Sequence, residues 1–305
     1  MPDDSTPRRR ISRPNQARRA SSAWRDRNRP QLDALQRHEV NRRIPVGLST
    51  SSVFPLGLED TFRAAQGAGY DGVEVMLSHE RCTHDAEHLR DLVARYDMPI
   101  LSLHAPTLFL LQFVGGLNQR RKLAGSAALA AELGVPTVVA HPPFRWQGKY
   151  AARFEQIVRY LEKRYGVEIA VENMYPWRLG VREVLVYAPD HDPTDQDFAH
   201  VTIDLSHAST AGDDSLAMVQ RVGDRLAHLH LTDGNGHSMK DEHLVPGEGK
   251  QPAAEVLRHL AITEWYGSIV VEISTGKGRR LDAKMPAIER SLAFARRELG
   301  HHAFE

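Results

Sequence analysis

Short apolar runs alternate with amphipathic stretches along most of the chain, from residue 44 to 299. Eight runs have the length and side-chain character of buried strands: IPVGLST (44–50), GVEVML (72–77), ILSLHAP (100–106), TVVAHPP (137–143), EIAVENM (168–174), HVTIDLSH (200–207), LAHLHLTD (226–233) and GSIVVEIS (267–274). Between them the apolar spacing becomes helical, as in LEDTFRAAQGAG, DAEHLRDLVARY and QRRKLAGSAALAAELG, with a last helix expected near 284–299. Gly134 directly follows Leu133, where a glycine can end the helix in the left-handed conformation. Strands separated by helices imply right-handed βαβ units and a parallel sheet. Eight such units in about 260 residues match an α/β fold of the (β/α)8 TIM-barrel type. An open doubly wound sheet would carry a glycine-rich phosphate turn after its first strand, and GLSTSSVFPLG has none.

Residues 1–43 break this pattern. They hold twelve arginines against five acidic residues and almost no apolar periodicity, so the expectation is a disordered, Arg-rich tail ahead of a barrel spanning 44–305. On this reading the tail is dispensable for stability. The formal net charge of zero then divides into a basic start and a barrel with 27 basic against 34 acidic side chains. No apolar run is long enough to cross a membrane. The lone Cys82 excludes an internal disulfide framework and points to a reducing, cytoplasmic compartment.

In a (β/α)8 barrel, chemistry collects at the C-terminal ends of the strands. From the third strand onward, every strand ends in a side chain able to bind a metal. These are His104, His141, Glu172, Asp204, His230 and Glu272. His207 follows Asp204 by three positions, where the strand is expected to turn into a loop. Asp241 and His243 follow His230 in the loop KDEHLVPGEGK. Taken singly, each has an ordinary explanation, because a strand-end histidine is usually a hydrogen-bonded core residue and a glutamate can pair with lysine or arginine. Taken together they resist it. Buried carboxylates cost roughly several kcal/mol each unless paired or metal-bound, and too few cations are available for so many. One shared positive centre, a metal cluster, answers all of them. A mixed nitrogen and oxygen set suits zinc or manganese better than magnesium or calcium, with one ion or more per chain. His228 shares the inward face of His230 at a deeper level, as a supporting or core residue. Glu74 also faces inward, as a buried polar group or a substrate contact rather than a ligand.

The phrases VGLSTSS, AGYDGVEV, SLHAP, VVAHPP, VENM, DLSH, HLHLTD and VVEIS, in this order, resemble the xylose isomerase-like TIM-barrel superfamily. It includes sugar isomerases, sugar epimerases and the abasic-site nuclease endonuclease IV. The resemblance implies one divalent metal held by Glu172, Asp204, His230 and Glu272, as in the isomerases and epimerases. It also matches the nuclease's five further ligands, for three zinc ions, to His104, His141, His207, Asp241 and His243. Departures fall in the segments that meet DNA in the nuclease: Thr107 stands where it has a tyrosine, ENMYPWRLG replaces a glycine-rich turn, and HPPFRWQGK replaces a small-residue loop.

The resulting expectation is a metal-dependent sugar or sugar-phosphate isomerase/epimerase, with Glu172 and Glu272 moving the proton beside a polarised carbonyl. Arg145, Trp146, Lys149, Trp177, Arg178 and Lys240 are candidates for gripping a small carbohydrate or sugar phosphate. The alternative is a metal-dependent phosphoester hydrolase. The acidic balance of 44–305 speaks against a nucleic-acid partner, since surfaces that track phosphates are basic. A third reading, ligand binding without turnover, leaves the acid and metal-binding residues without a use. GEGKQP lacks the GK[ST] ending of a phosphate-binding P-loop.

Overall fold

The computed structural model describes residues 21–41, 43–106, 118–179, 182–236 and 240–300. Thr107 and His237 lie outside them. Eight parallel strands close into a barrel: β1 (Val46–Ser49), β2 (Gly72–Met76), β3 (Ile100–His104), β4 (Thr137–Ala140), β5 (Glu168–Glu172), β8 (Val201–Asp204), β9 (Leu226–Leu231) and β10 (Ser268–Val271). Each falls within an expected run. Helices α3 (Leu58–Ala68), α4 (Ala86–Tyr96), α5 (Gln119–Leu133), α6 (Phe154–Tyr165), α8 (Ser215–Val222) and α9 (Ala253–Ile262) lie between successive barrel strands other than the pair β5 and β8, and α10 (Leu281–Glu298) follows β10. Gly134 caps α5 at φ 73°, a left-handed position that a Cβ would strain.

One continuous apolar core fills the space between strands and helices, with Leu48, Phe62, Val75, Leu103, Leu123, Phe154, Ile203 and Leu257 fully or almost fully buried. A strand buried on both faces reads as a near-continuous hydrophobic run, and this is why the strands were legible. Among the described residues no helix is long and apolar enough to cross a membrane.

The expectation of a structureless segment over 1–43 is corrected for Ser22–Asn41. These residues form α1 (Ser22–Arg27) and α2 (Arg29–Asn41) and pack on the barrel at the N-terminal end of the strands. Buried Gln31 donates its amide to Ile100 O at 2.7 Å and accepts from Ile100 N at 2.8 Å, pairing with the start of β3 as a strand would. Trp24 Nε1 and Asn28 Nδ2 both donate to Glu132 O, each at 2.9 Å, in the last turn of α5. That turn leaves carbonyls without partners inside the helix. The segment docks through these polar contacts, which apolar periodicity does not register.

Between β5 and β8 the chain inserts a short antiparallel hairpin that the apolar pattern does not show: β6 (Trp177–Leu179) and β7 (Arg182–Val184). It joins a second, smaller apolar cluster of Phe144, Met174, Val186 and Tyr187, with Trp177 against it. Arg145 N donates to Val186 O and Ala188 N to Pro143 O, both at 2.8 Å, so the loop after β4 is tied to this insertion.

Candidate metal-binding site

Strand ends place the candidates. His104, Glu172 and Asp204 are the last residues of β3, β5 and β8, His141 and Glu272 immediately follow β4 and β10, and His230 is the penultimate residue of β9. Register sets Asp204 opposite His230. His207 is not in a loop, as the sequence suggested. Asp204 is the N-cap of a short helix, α7 (Leu205–Ala211), and accepts from His207 N at 2.7 Å, which carries the imidazole into its first turn.

The groups converge. Three carboxylate oxygens face one imidazole nitrogen, His230 Nδ1: Glu172 Oε1 at 2.8 Å, Glu272 Oε2 at 3.2 Å and Asp204 Oδ2 at 3.4 Å. The other oxygen of Glu172 meets His141 Nε2 at 2.8 Å and His104 Nε2 at 3.3 Å. Asp241 Oδ2 lies 2.8 Å from His243 Nε2 and 3.2 Å from His207 Nε2. His207 Nδ1 stands 3.5 Å from Glu172 Oε1 and links the outer group to the inner one. Among the described residues, no lysine or arginine forms an ion pair with any of these four carboxylates.

Asp204 Oδ2 and Glu272 Oε2 are buried and accept no hydrogen bond. Two orphaned anionic oxygens beside an imidazole nitrogen fit a bound cation. Ligand atoms of Glu172, Asp204 and His230 lie within 4.8 Å of one another, as do those of His104, His141 and Glu172, and those of Asp204, His207 and His243. Each set could hold a divalent ion.

Electrostatics follow from this crowding. Burial pushes the Glu172 carboxyl up, but the facing His230 and His141, with the bonds to His104 and His141, outweigh it and hold it well below the usual carboxylate range. Burial wins at Glu272, which is raised despite His230 and His243. Burial also lowers His141. His207, opposed by burial but facing Asp204 and Asp241, is pushed up to about 10.

Several positioning residues had no signal in composition or spacing. Asn173 accepts from Asp204 N at 2.6 Å, donates to Asp204 O at 3.0 Å, and so clamps β5 to the end of β8. Ser206 donates to Asp241 Oδ1 at 2.5 Å and accepts from His243 N at 3.0 Å. His243 adopts φ 46°, a left-handed conformation unusual for a residue with a Cβ. It is held there by Ser206, by its Nδ1 against Glu272 O at 2.8 Å, and by Ser274 N donating to its carbonyl at 2.7 Å. Buried Asp233 organises the whole loop. Its oxygens accept from the backbone N–H groups of Gly234 (2.8 Å), Gly247 (2.9 Å), Gly249 (3.0 Å) and Gln251 (3.0 Å). A Cβ at Gly249 would lie 2.3 Å from Asp233 Oδ1, which explains a glycine in the PGEG turn.

The segments HPPFRW and ENMYPW pack on each other beside this centre. Phe144 stacks on Trp146 at 4.4 Å and on Tyr187 at 5.1 Å between ring centroids, and Tyr175 lies 5.3 Å from the His207 ring. Two of the proposed gripping residues have local contacts. Arg178 pairs with Glu183 across the hairpin at 3.0 Å, and Arg145 donates to Pro189 O at 2.8 Å.

The profile of the xylose isomerase-like TIM barrel family matches residues 62–298. A protein of Mycobacterium tuberculosis (strain H37Rv) with no assigned function is 46% identical over 275 residues, covering 84% of this chain and 98% of its own. Fructoselysine 3-epimerase of Escherichia coli O157:H7 is 26% identical over 255 residues, covering 76% of this chain and 91% of its own. Among solved structures, a D-tagatose 3-epimerase-like protein superposes with a TM-score of 0.61 at 22% identity, covering 83% of this chain and 99% of its own. The likeness to that structure is one of fold.

Proposed function

From a chain that belongs to the xylose isomerase-like TIM barrel family, we propose a metal-dependent sugar epimerase or isomerase acting on the carbon next to a carbonyl. The observation that carries this reading is the placement of Glu172 and Glu272. Both face His230 Nδ1, at 2.8 and 3.2 Å, from strands separated in the barrel by β8 and β9. A sugar held between them would present opposite faces of one carbon to two carboxylates, which is what inversion by proton removal and return requires. In the metal-free protein the two groups are also pushed in opposite directions, Glu172 lowered by the imidazoles around it and Glu272 raised by burial.

Glu172, Asp204, His230 and Glu272 would hold the ion. A divalent cation there supplies polarisation of the carbonyl and hydroxyl oxygens. Exposed Trp146 and half-buried Trp177, backed by buried Phe144, would cover the apolar face of the sugar ring and exclude water. Identity to fructoselysine 3-epimerase over most of both chains supports a ketose or ketose derivative as substrate. The test is proton NMR of ketoses incubated with metal-loaded protein in D2O. Deuterium entering at the carbon next to the carbonyl, together with formation of the epimer, supports the proposal. No exchange on any ketose, ketose phosphate or ketose-amine adduct would refute it.

A second reading, phosphoester hydrolysis, is favoured by one observation: His104, His141, His207, Asp241 and His243 converge on the same centre, and a one-metal epimerase has no evident use for them. Three zinc ions per chain by elemental analysis, with nicking of an abasic duplex that His104→Ala abolishes, would place this reading first.

A further inference from the structure

Beneath the convergent cluster lies a second polar layer that the chemistry above does not use. Glu74, in the middle of β2, is completely buried. Its Oε2 accepts from Ser102 Oγ at 2.8 Å and stands 3.3 Å from His230 Nε2 and 3.2 Å from His228 Nε2. His228 is braced by Ser268, whose Oγ lies 2.8 Å from its Nδ1. Strand register builds the layer by setting Glu74 beside Ser102 and Ser268 beside His228. Among the described residues, no lysine or arginine pairs with Glu74; the imidazoles of His228 and His230 face it instead.

An imidazole that ligates through one ring nitrogen carries its proton on the other, and the partner of that second nitrogen decides which is which. His230 turns Nδ1 toward Glu172, Glu272 and Asp204, and Nε2 toward Glu74. We infer that Glu74 is a positioning residue: it keeps the His230 proton on Nε2 and so presents Nδ1 as the metal-ligating atom, with Ser102 and His228 keeping Glu74 aimed. The inference rests on the reading of Glu172, Asp204, His230 and Glu272 as metal ligands. It also gives a completely buried carboxylate, expensive without a partner, a task that a purely structural role does not supply. Carboxylates behind metal-bound histidines fix the ring and make it a stronger ligand, and their loss weakens metal binding typically about 10- to 100-fold.

The near-isosteric Glu74→Gln variant tests this by zinc competition against a chromophoric chelator and by the visible spectrum of the cobalt-loaded protein. The expected result is zinc affinity about 10- to 100-fold weaker than wild type, with an altered cobalt spectrum. Unchanged affinity with an unchanged spectrum overturns the assignment and leaves Glu74 a core residue. A measurement on the wild type does not depend on how the variant folds. In the zinc-loaded protein labelled with 15N-histidine, the His230 ring, identified by its loss in His230→Asn, should carry its proton on Nε2 and ligate through Nδ1. The reverse assignment overturns the inference. Failure of the wild type to bind zinc, cobalt or manganese would sink the metal reading and this one with it, whereas a wild type and a Glu74→Gln variant that bind equally well would sink only this one.

Discussion

Glu172 and Glu272 are the same residue type within reach of one nitrogen, yet their surroundings treat them oppositely. Glu272 is raised because burial outweighs the nearby imidazoles. A carboxyl raised in the folded state contributes its full stability below its unfolded value, and that contribution is lost as pH rises through the folded one. Ionising it therefore burdens the metal-free protein. Glu272→Gln should cut turnover about 10²- to 10⁴-fold without lowering the Tm of the metal-free protein; a large fall in Tm would show that the carboxylate is structural. His207 has the opposite charge type and the same direction. Raised from the ordinary 6.5 to about 10 by Asp204 and Asp241 against burial, it stabilises the metal-free protein below pH 6.5 and loses that effect as pH rises through about 10. If His207 ligates a metal, binding must expel this proton. Calorimetry in two buffers of different ionisation enthalpy at about pH 8 should then register proton release, and His207→Asn should reduce it, since the raised His230 and His243 still give up protons of their own.

At the level of elements, α1 and α2 and the loop after β9 are each held by a few polar side chains. Gln31→Ala would strip both the N–H and the C=O of buried Ile100 of their partner, and leaving buried backbone groups unsatisfied costs about 1–3 kcal/mol. A Tm lowered by several degrees on thermal denaturation is expected, and an unchanged Tm would show that α2 is not docked in solution. Asp233→Ala would release the turn that positions Asp241 and His243 while leaving Glu172, Asp204, His230 and Glu272 in place. Elemental analysis should then find fewer ions per chain than in wild type but at least one, provided that the outer pair binds metal. These elements also show where sequence reading reached its limit. The eight strands were legible because each is a continuous apolar run, whereas α2 turns only Gln31 and Ala34, among its described side chains, fully inward. The charged hairpin strand Arg182–Val184 is wholly exposed and has no buried face to create an alternation.

For the molecule as a whole, the architecture and the convergence of strand-end acids and imidazoles followed from a few lines of sequence, because barrel topology forces strand ends to one face. The supporting shell did not. Glu74 was recognisably inward-facing, but its relation to His230 depends on a register between β2, β3 and β9 that no local pattern encodes. Asn173 and Ser206 were hidden for the same reason. A barrel mouth with this many carboxylates and, among the described residues, no lysine or arginine paired to them should lean on its ions for stability. A ligand present at about a thousand times its Kd adds about 4 kcal/mol to the folded state. Chelation should accordingly lower the Tm, and readdition of zinc or manganese should restore it; a Tm indifferent to chelator would mean that the acids are satisfied without metal.

One loop residue also bears on how the protein would respond to selection. His243 sits at φ 46° with a full side chain, a conformation that costs on the order of 1–3 kcal/mol unless its surroundings enforce it. Glycine or asparagine would rest there more comfortably. A screen that rewards heat tolerance alone should therefore accumulate changes at this position and return hardier molecules whose outer imidazole is gone, so thermostabilisation and metal occupancy would have to be selected together.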